Sequence, residues 1–166
     1  MLFSHPKDFT PVCTTELGYM SKIKPEFDRR NVKIVGLSVD STGDHGEWAN
    51  DIEETQGQAP NYPLIGDPDF KVSKLYGMLP ADTFVLRRQL QRVDHSQYLV
   101  EVAAGRHRVD EDELHLLVGP EVSTPVNWQQ GEDVIIAGSV SDEEVKETFG
   151  DWEAPKLYIR VVPQPR

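Results

Sequence analysis

The sequence predicts an α/β fold with parallel strands in its sheet. Along the first eighty or so residues, β-branched segments alternate with helical patterns, and this alternation is typical of βαβα units. The chain has 166 residues, which suffices for one domain with its own core and a small appendage. Its hydrophobic fraction of 38% is modest but still that of a globular protein.

The first predicted helix follows a short strand that ends at Leu2-Phe3. Thr10 is a favourable N-cap and Pro11 suits the first helical position. From Cys13 onward, apolar residues recur at helical spacing, and Pro25 predicts a kink or break near the end of the helix.

The next predicted elements are a buried strand over 32–39, a helix over about 44–54, a short strand over 62–65 with a turn after it, and a helix over about 69–76 with Gly77 as its C-cap. Nearer the C-terminus, we expect a strand over 133–137 and a final strand over 158–162. Between them, the pattern Ser141-Asp142-Glu143-Glu144 is a capping box, and it predicts a helix over about 142–149.

Cys13 is the only cysteine, so the chain contains no internal disulfide and any redox chemistry passes through this sulfur. The sulfur falls in the first turn of the predicted helix, where free N–H groups and the helix dipole favour the thiolate. Thr10 is placed to donate a hydrogen bond to it, and Pro6 to wall the pocket without adding a donor. The plainer alternative is a small buried apolar residue, which is the usual role of a lone cysteine.

Composition excludes several classes of function. The net charge of −11 argues against non-specific binding of nucleic acid, and no stretch is apolar enough to span a membrane. With no signal peptide in view and one cysteine, we expect a cytoplasmic protein. We expect no cofactor or metal, because the spacing of the five histidines matches no metal-binding motif: His5, His45, His95, His107 and His115.

The segment from Leu2 to Leu17 resembles the active site of peroxiredoxins through the spacing Pro6-x3-Thr10-x2-Cys13, and it is most similar to the single-cysteine, peroxiredoxin-6 type. The resemblance covers roughly residues 2–80 and 122–165. It implies a thioredoxin-like fold, incomplete at the N-terminus, with a small C-terminal α+β domain. It further implies a peroxidase domain over 1–121, a C-terminal peroxiredoxin domain over 122–166, and a homodimer.

The resemblance also implies a thiol peroxidase. The Cys13 thiolate would attack hydrogen peroxide or an organic hydroperoxide, with Thr10 and backbone N–H groups stabilising the charge. An external thiol, glutathione or a thioredoxin-type protein, would regenerate the cysteine, since the chain has no second one. The alternative is a catalytically impaired relative that acts as a binding or redox-sensing module.

The sequence departs from this family in places. It lacks the family's N-terminal segment, so we expect a truncated chain with an exposed sheet edge, and either a dimer that covers this edge or poor solubility. Residues 82–121 match poorly, and the arginine that serves the thiolate cannot be chosen among Arg87, Arg88 and Arg92. The serine that some members use to act on phospholipids would precede Met1. His5 remains, as a substrate-binding residue or as a structural hydrogen-bonding one.

Overall fold

A computed structural model of the chain describes residues 1–78 and 121–165. Two groups of elements follow one another along the chain. The first group comprises β1 (Leu2–Ser4), α1 (Pro11–Arg29), β2 (Val35–Ser38), α2 (Thr42–Gln56), β3 (Leu64–Gly66) and α3 (Lys71–Leu75). The second group comprises β4 (Val122–Ser123), β5 (Val134–Ile136), α4 (Asp142–Thr148), β6 (Glu153–Lys156) and β7 (Ile159–Val162).

The strands of residues 1–78 form a parallel sheet in the order β1-β2-β3. The register pairs Phe3 with Gly36, and Gly36 in turn with Leu64. Parallel neighbours need crossover connections, and α1 and α2 supply them. Because all three strands run the same way, their carboxyl ends share one edge, which is where ligands bind in open α/β sheets.

Helices α1 and α2 pack closely against each other at Gly18. A Cβ atom added there would lie 2.5 Å from the Gln56 Cβ, so only glycine fits this contact. The core beside it contains Leu17, Trp48 and Ile52, each fully buried. This packing fixes α2 relative to the first turns of α1.

Pro25 lies inside α1, and the prediction of a break there is wrong because the helix continues to Arg29. A proline leaves the carbonyl four residues earlier without its helical donor. Here that carbonyl belongs to Ser21, and the Asn61 side chain donates to it at 3.1 Å. A side chain from outside the helix therefore replaces the missing hydrogen bond.

The strands of residues 121–165 form an antiparallel sheet in the order β4-β5-β7-β6. Helix α4 covers it and buries Val145, and its capping box at Ser141 and Glu144 is confirmed. Trp128 and Trp152 pack against this core. Among the described helices, none is long and apolar enough to cross a membrane.

Hydrogen bonds and ion pairs join the second group of elements to the first. The Val126 N–H donates to the Thr15 hydroxyl at 3.1 Å, in the first turns of α1. Tyr158 and Lys156 both reach Asp51 on α2, at 3.0 Å and 2.9 Å. The antiparallel sheet is thus attached both to the helix that carries Cys13 and to the helix beside it.

Candidate active site

Cys13 is positioned by the loop that leaves β1 and enters α1. The N–H of His5 donates to the Leu37 carbonyl at 3.0 Å, which continues the β1–β2 pairing by one residue. The N–H of Asp8 donates to a carboxylate oxygen of Asp40 at 2.8 Å. After Thr10, α1 begins at Pro11, so Cys13 is the third helical residue, as the sequence predicts.

The loop contains a strained residue, Phe9, whose φ of 54° lies in the left-handed region. A bulky residue in this region costs on the order of 1–2 kcal/mol and persists only where its surroundings hold it. The Phe9 ring lies between Trp48 and Tyr158, with ring-centre distances of 6.3 Å and 5.8 Å. Its anchoring links the C-terminal sheet to the loop that leads to Cys13.

The Cys13 thiol is buried, with 7% of the residue exposed, and it belongs to the core that contains Leu17 and Trp48. Burial, followed by the negative charge of Glu16, raises the pKa of Cys13 to about 12. Hydrogen bonds from Thr10 and from the Cys13 backbone N–H act in the opposite direction but are weaker.

We expected the pKa of the Cys13 thiol to be lowered, but within residues 1–78 and 121–165 it is raised. The position in the first helical turn is as predicted, but loss of hydration outweighs the helix terminus. None of the main contributions to this pKa comes from a cation of the described residues. The candidate arginines Arg87, Arg88 and Arg92 lie outside them.

Thr10 occupies the N-cap position, but its hydroxyl does not cap the helix. Instead, the hydroxyl donates to the Lys7 carbonyl at 2.9 Å, and a hydrogen bond with Cys13 lowers the pKa of the thiol. A hydroxyl carries one proton and two lone pairs. Rotation about one bond therefore lets Thr10 accept from the neutral thiol or donate to the thiolate.

Glu16 lies three residues after Cys13, about one helical turn further along α1. Burial raises the pKa of this carboxyl to about 7, so the protonated form persists near neutral pH. A half-buried carboxyl of this kind is suited to hold a cation, which would restore its charge.

Three buried polar residues come together beside this loop. Asp8, of which 1% is exposed, accepts a hydrogen bond from the His5 Nε2 at 2.7 Å and from the His45 Nδ1 at 2.5 Å. Burial disfavours the Asp8 carboxylate, but the bonds from His45 and His5 outweigh it and hold the pKa of Asp8 below its ordinary value. Burial likewise opposes the charged His45 ring, but Asp8 raises the pKa of His45 above its ordinary value.

The second nitrogen of each ring, Nδ1 of His5 and Nε2 of His45, is buried and makes no hydrogen bond of normal geometry within the described residues. The Ile65 carbonyl lies near the His45 ring and favours its protonated form. Asp8 belongs to the loop and His45 to the first turn of α2. Both therefore sit at the edge of the sheet where the parallel strands end.

Asp8 and His45 are site residues that the sequence pattern did not predict. The histidines have no spacing typical of metal ligands, since 40 positions separate His5 from His45. The signal that was available is topological: His5 follows β1 and His45 follows β2, and these strands are parallel neighbours. Of the predicted site residues, Thr10 forms a hydrogen bond with Cys13, and His5 packs on Trp48, which shares a core with Cys13. Pro6 lies half-buried in the same loop. His95, His107 and His115 fall outside the described residues.

Two family profiles match the sequence. The AhpC/TSA family matches residues 1–102, and the C-terminal domain of 1-Cys peroxiredoxin matches residues 121–151. Among similar proteins, the 1-Cys peroxiredoxin of Dictyostelium discoideum is 44% identical, with 99% of this chain and 73% of that protein covered. Peroxiredoxin-6 of Rattus norvegicus is 38% identical and covers 99% and 85% of the two chains.

Solved structures include similar proteins. A yeast mitochondrial 1-Cys peroxiredoxin, studied for thiol resolving via the glutathione/thioredoxin systems, is 36% identical with a TM-score of 0.48, covering 98% of this chain and 84% of its own. A mutant peroxiredoxin 6 of Arenicola marina is 30% identical with a TM-score of 0.45, covering 99% and 85%.

Proposed function

Because this chain belongs to the AhpC/TSA family and is a 1-Cys peroxiredoxin, a thiol peroxidase, we propose that the sulfur of Cys13 is the atom that attacks the hydroperoxide. The thioredoxin-like α/β fold with a C-terminal sheet unit, expected from the resemblance, is confirmed. The catalytically impaired alternative is not favoured by relatives that are peroxiredoxins over nearly the whole chain.

The observation that carries the proposal is the place of the sulfur. Cys13 lies in the first turn of α1, in hydrogen-bond contact with Thr10. In the reaction, the thiolate attacks the distal peroxide oxygen, the S–O bond forms and the O–O bond breaks. The leaving oxygen takes a proton and departs as water or an alcohol, and Cys13 becomes a sulfenic acid. Thr10 and backbone N–H groups would stabilise the developing charge.

Ionisation of Cys13 near neutral pH needs more stabilisation of the thiolate than the described residues provide. Lowering the pKa from about 12 to about 7 requires on the order of 7 kcal/mol. A cation 4 Å from the sulfur contributes about 4 kcal/mol at an effective dielectric constant of about 20. The same cation would neutralise the repulsion from Glu16. We therefore propose that an arginine among Arg87, Arg88 and Arg92 serves both groups.

The reductant is proposed to be an external thiol, either glutathione or a thioredoxin-type protein. The sequence contains no second cysteine to form an internal disulfide with oxidised Cys13. The yeast mitochondrial relative is described as resolved through the glutathione/thioredoxin systems, which makes both worth testing. Turnover with each reductant alone would identify the one this chain uses.

We also propose a homodimer in a reducing compartment, with the cytoplasm as the default location. Support for the compartment is the lone free thiol, which needs a reductant to turn over. Support for association is the sheet edge that β1 leaves open within residues 1–78. Light scattering on the purified chain tests the dimer, and a monodisperse, stable monomer would contradict it.

The experiment for the proposed function compares the wild-type chain with Cys13→Ser. The wild-type chain should consume hydrogen peroxide in the presence of thiol, and the variant should consume none above the thiol background. Trapping the sulfenic acid and locating it by mass spectrometry assigns the reaction to Cys13. Peroxide consumption by the variant at the wild-type rate would place the chemistry elsewhere.

A further inference from the structure

The hydrogen bonds around Asp8 fix the protonation pattern of both histidines. The pKa of Asp8 is held low, so its carboxylate is ionised near neutral pH and only accepts hydrogen bonds. His5 must therefore carry a proton on Nε2, and His45 must carry one on Nδ1. When the His5 ring is neutral, its buried Nδ1 then carries no proton and has a lone pair that accepts no hydrogen bond within the described residues.

The same carboxylate restrains the loop that delivers Cys13. Asp8 immediately precedes the strained Phe9, which precedes the N-cap residue Thr10. The Asp8 backbone is fixed by Asp40 from the end of β2, and its side chain is fixed by His45 from α2. Releasing either restraint would let Phe9 relax toward an ordinary φ and shift Thr10 relative to the sulfur.

We propose that His45 is a positioning residue of the peroxidase reaction: through Asp8 it holds His5 in one tautomer and fixes the loop that presents Thr10 beside Cys13. This inference rests on the proposed function of Cys13. It adds to that function a residue of α2, His45, which lies 32 positions after Cys13 in the sequence. His45 acts through Asp8, so its role is that of a support and not of a group that touches the peroxide.

Buried ionisable groups commonly stabilise a fold no more than apolar residues of similar volume would. Stability alone is therefore a weak reason for burying Asp8, His5 and His45 together. Their placement at the strand ends beside Cys13 instead suits a task of orientation. The three residues also resemble a set of metal ligands. In this structure, however, the N–H to oxygen contacts of 2.7 Å and 2.5 Å have the lengths of direct hydrogen bonds, and these bonds use the same ring nitrogens that would ligate an ion.

The test uses two substitutions of similar size at His45. In His45→Asn, the side-chain nitrogen occupies roughly the place of Nδ1 and can still donate to Asp8. In His45→Gln, the nitrogen lies nearer the place of Nε2 and cannot reach Asp8 in the same way. Glu47→Gln, on the exposed face of α2, is the matched control.

The readout is the second-order rate constant of Cys13 oxidation by hydrogen peroxide, measured with the full chain. We expect His45→Gln to lower it by about tenfold or more, since small misplacements of reacting groups have effects of this order. The rate constant of His45→Asn should stay within about threefold of the wild-type value, because this variant retains the N–H group that donates to Asp8. Equal rates in wild type and His45→Gln, or equal losses in both variants, would overturn the proposal.

Nitrogen NMR of the imidazole rings provides a readout that does not depend on activity. The wild-type chain should show His5 as the Nε2–H tautomer, and His45→Gln should change the tautomer balance of His5, whereas His45→Asn should not. A His5 ring protonated on Nδ1 alone in the wild type would contradict the geometry directly. If the wild-type chain reacts slowly with peroxide but shows the expected tautomers, the proposed function of Cys13 is refuted. The effect of His45 on the tautomer of His5 would still hold in that case.

Discussion

Replacing Thr10 by valine should slow the oxidation of Cys13 with little effect on folding. The change keeps the shape of the side chain and removes the hydroxyl that bonds to the sulfur. A hydrogen bond to a charged group contributes about 1.5–3 kcal/mol, and each 1.36 kcal/mol is tenfold in rate, so the rate constant should fall by about 10- to 150-fold. Thr10→Ser keeps the hydroxyl and should stay within about threefold of wild type.

Stability separates this effect from a loss of structure. A capping threonine replaced by an apolar residue typically costs about 1 kcal/mol. The Thr10 hydroxyl makes no capping bond, and its other partner is the exposed carbonyl of Lys7, so we expect Thr10→Val to cost less than about 1 kcal/mol in urea unfolding. Stopped-flow measurement of peroxide reduction gives the rate. A Thr10→Val rate equal to that of Thr10→Ser would refute the role of the hydroxyl.

Other residues give independent predictions. Because folding lowers the pKa of Asp8, this carboxylate stabilises the fold above about pH 4, and the stabilisation is lost as the pH falls further. Because folding raises the pKa of His45, this ring stabilises the fold below about pH 6.5, and the stabilisation is lost as the pH rises further. The free energy of unfolding should therefore be highest between these two pH values. Gly66→Ala should cost about 1–3 kcal/mol, because its Cβ would lie 2.8 Å from a backbone oxygen and 2.9 Å from a backbone nitrogen. Thr15→Val should cost about 1–3 kcal/mol, because it leaves the Val126 N–H without its acceptor.

Urea unfolding at several pH values measures all three effects. His45→Asn should flatten the fall in stability on the alkaline side, and an unchanged slope would exclude His45 as its source. Gly77→Ala serves as a comparison for Gly66→Ala, because a Cβ at position 77 meets no atom within 4 Å and only its positive φ opposes alanine. Thr15→Ser retains the hydroxyl and should keep most of the stability that Thr15→Val loses.

The order of helices and parallel strands in residues 1–78 was predictable because local signals agree there. The capping residue, the apolar spacing and the β-branched segment of β2 all indicate the element that forms. Helix α2 extends two residues beyond its predicted range at each end, to Thr42 and Gln56, with Ser41 as a capping-box N-cap. The break at Pro25 was wrong because its compensation comes from Asn61, which is distant in the sequence.

At the site, local signals predicted the position of Cys13 and Thr10 at the start of α1, but not the environment of the sulfur. A helix terminus is visible in the sequence, whereas the burial that raises the pKa of Cys13 arises from tertiary packing in a core to which Phe3, Trp48 and Tyr62 also belong. The pairing of Asp8 with His45 likewise depends on β1 and β2 being parallel neighbours. Such contacts follow from topology, and no short motif encodes them.

We propose that Cys13 is the peroxidatic residue of a working active site. Its most direct test is the rate of sulfenic acid formation at Cys13 when the purified wild-type chain meets hydrogen peroxide, located by mass spectrometry and referenced to free cysteine. We expect oxidation at Cys13 to be orders of magnitude faster than that of the free thiol. A rate equal to that of free cysteine would contradict it.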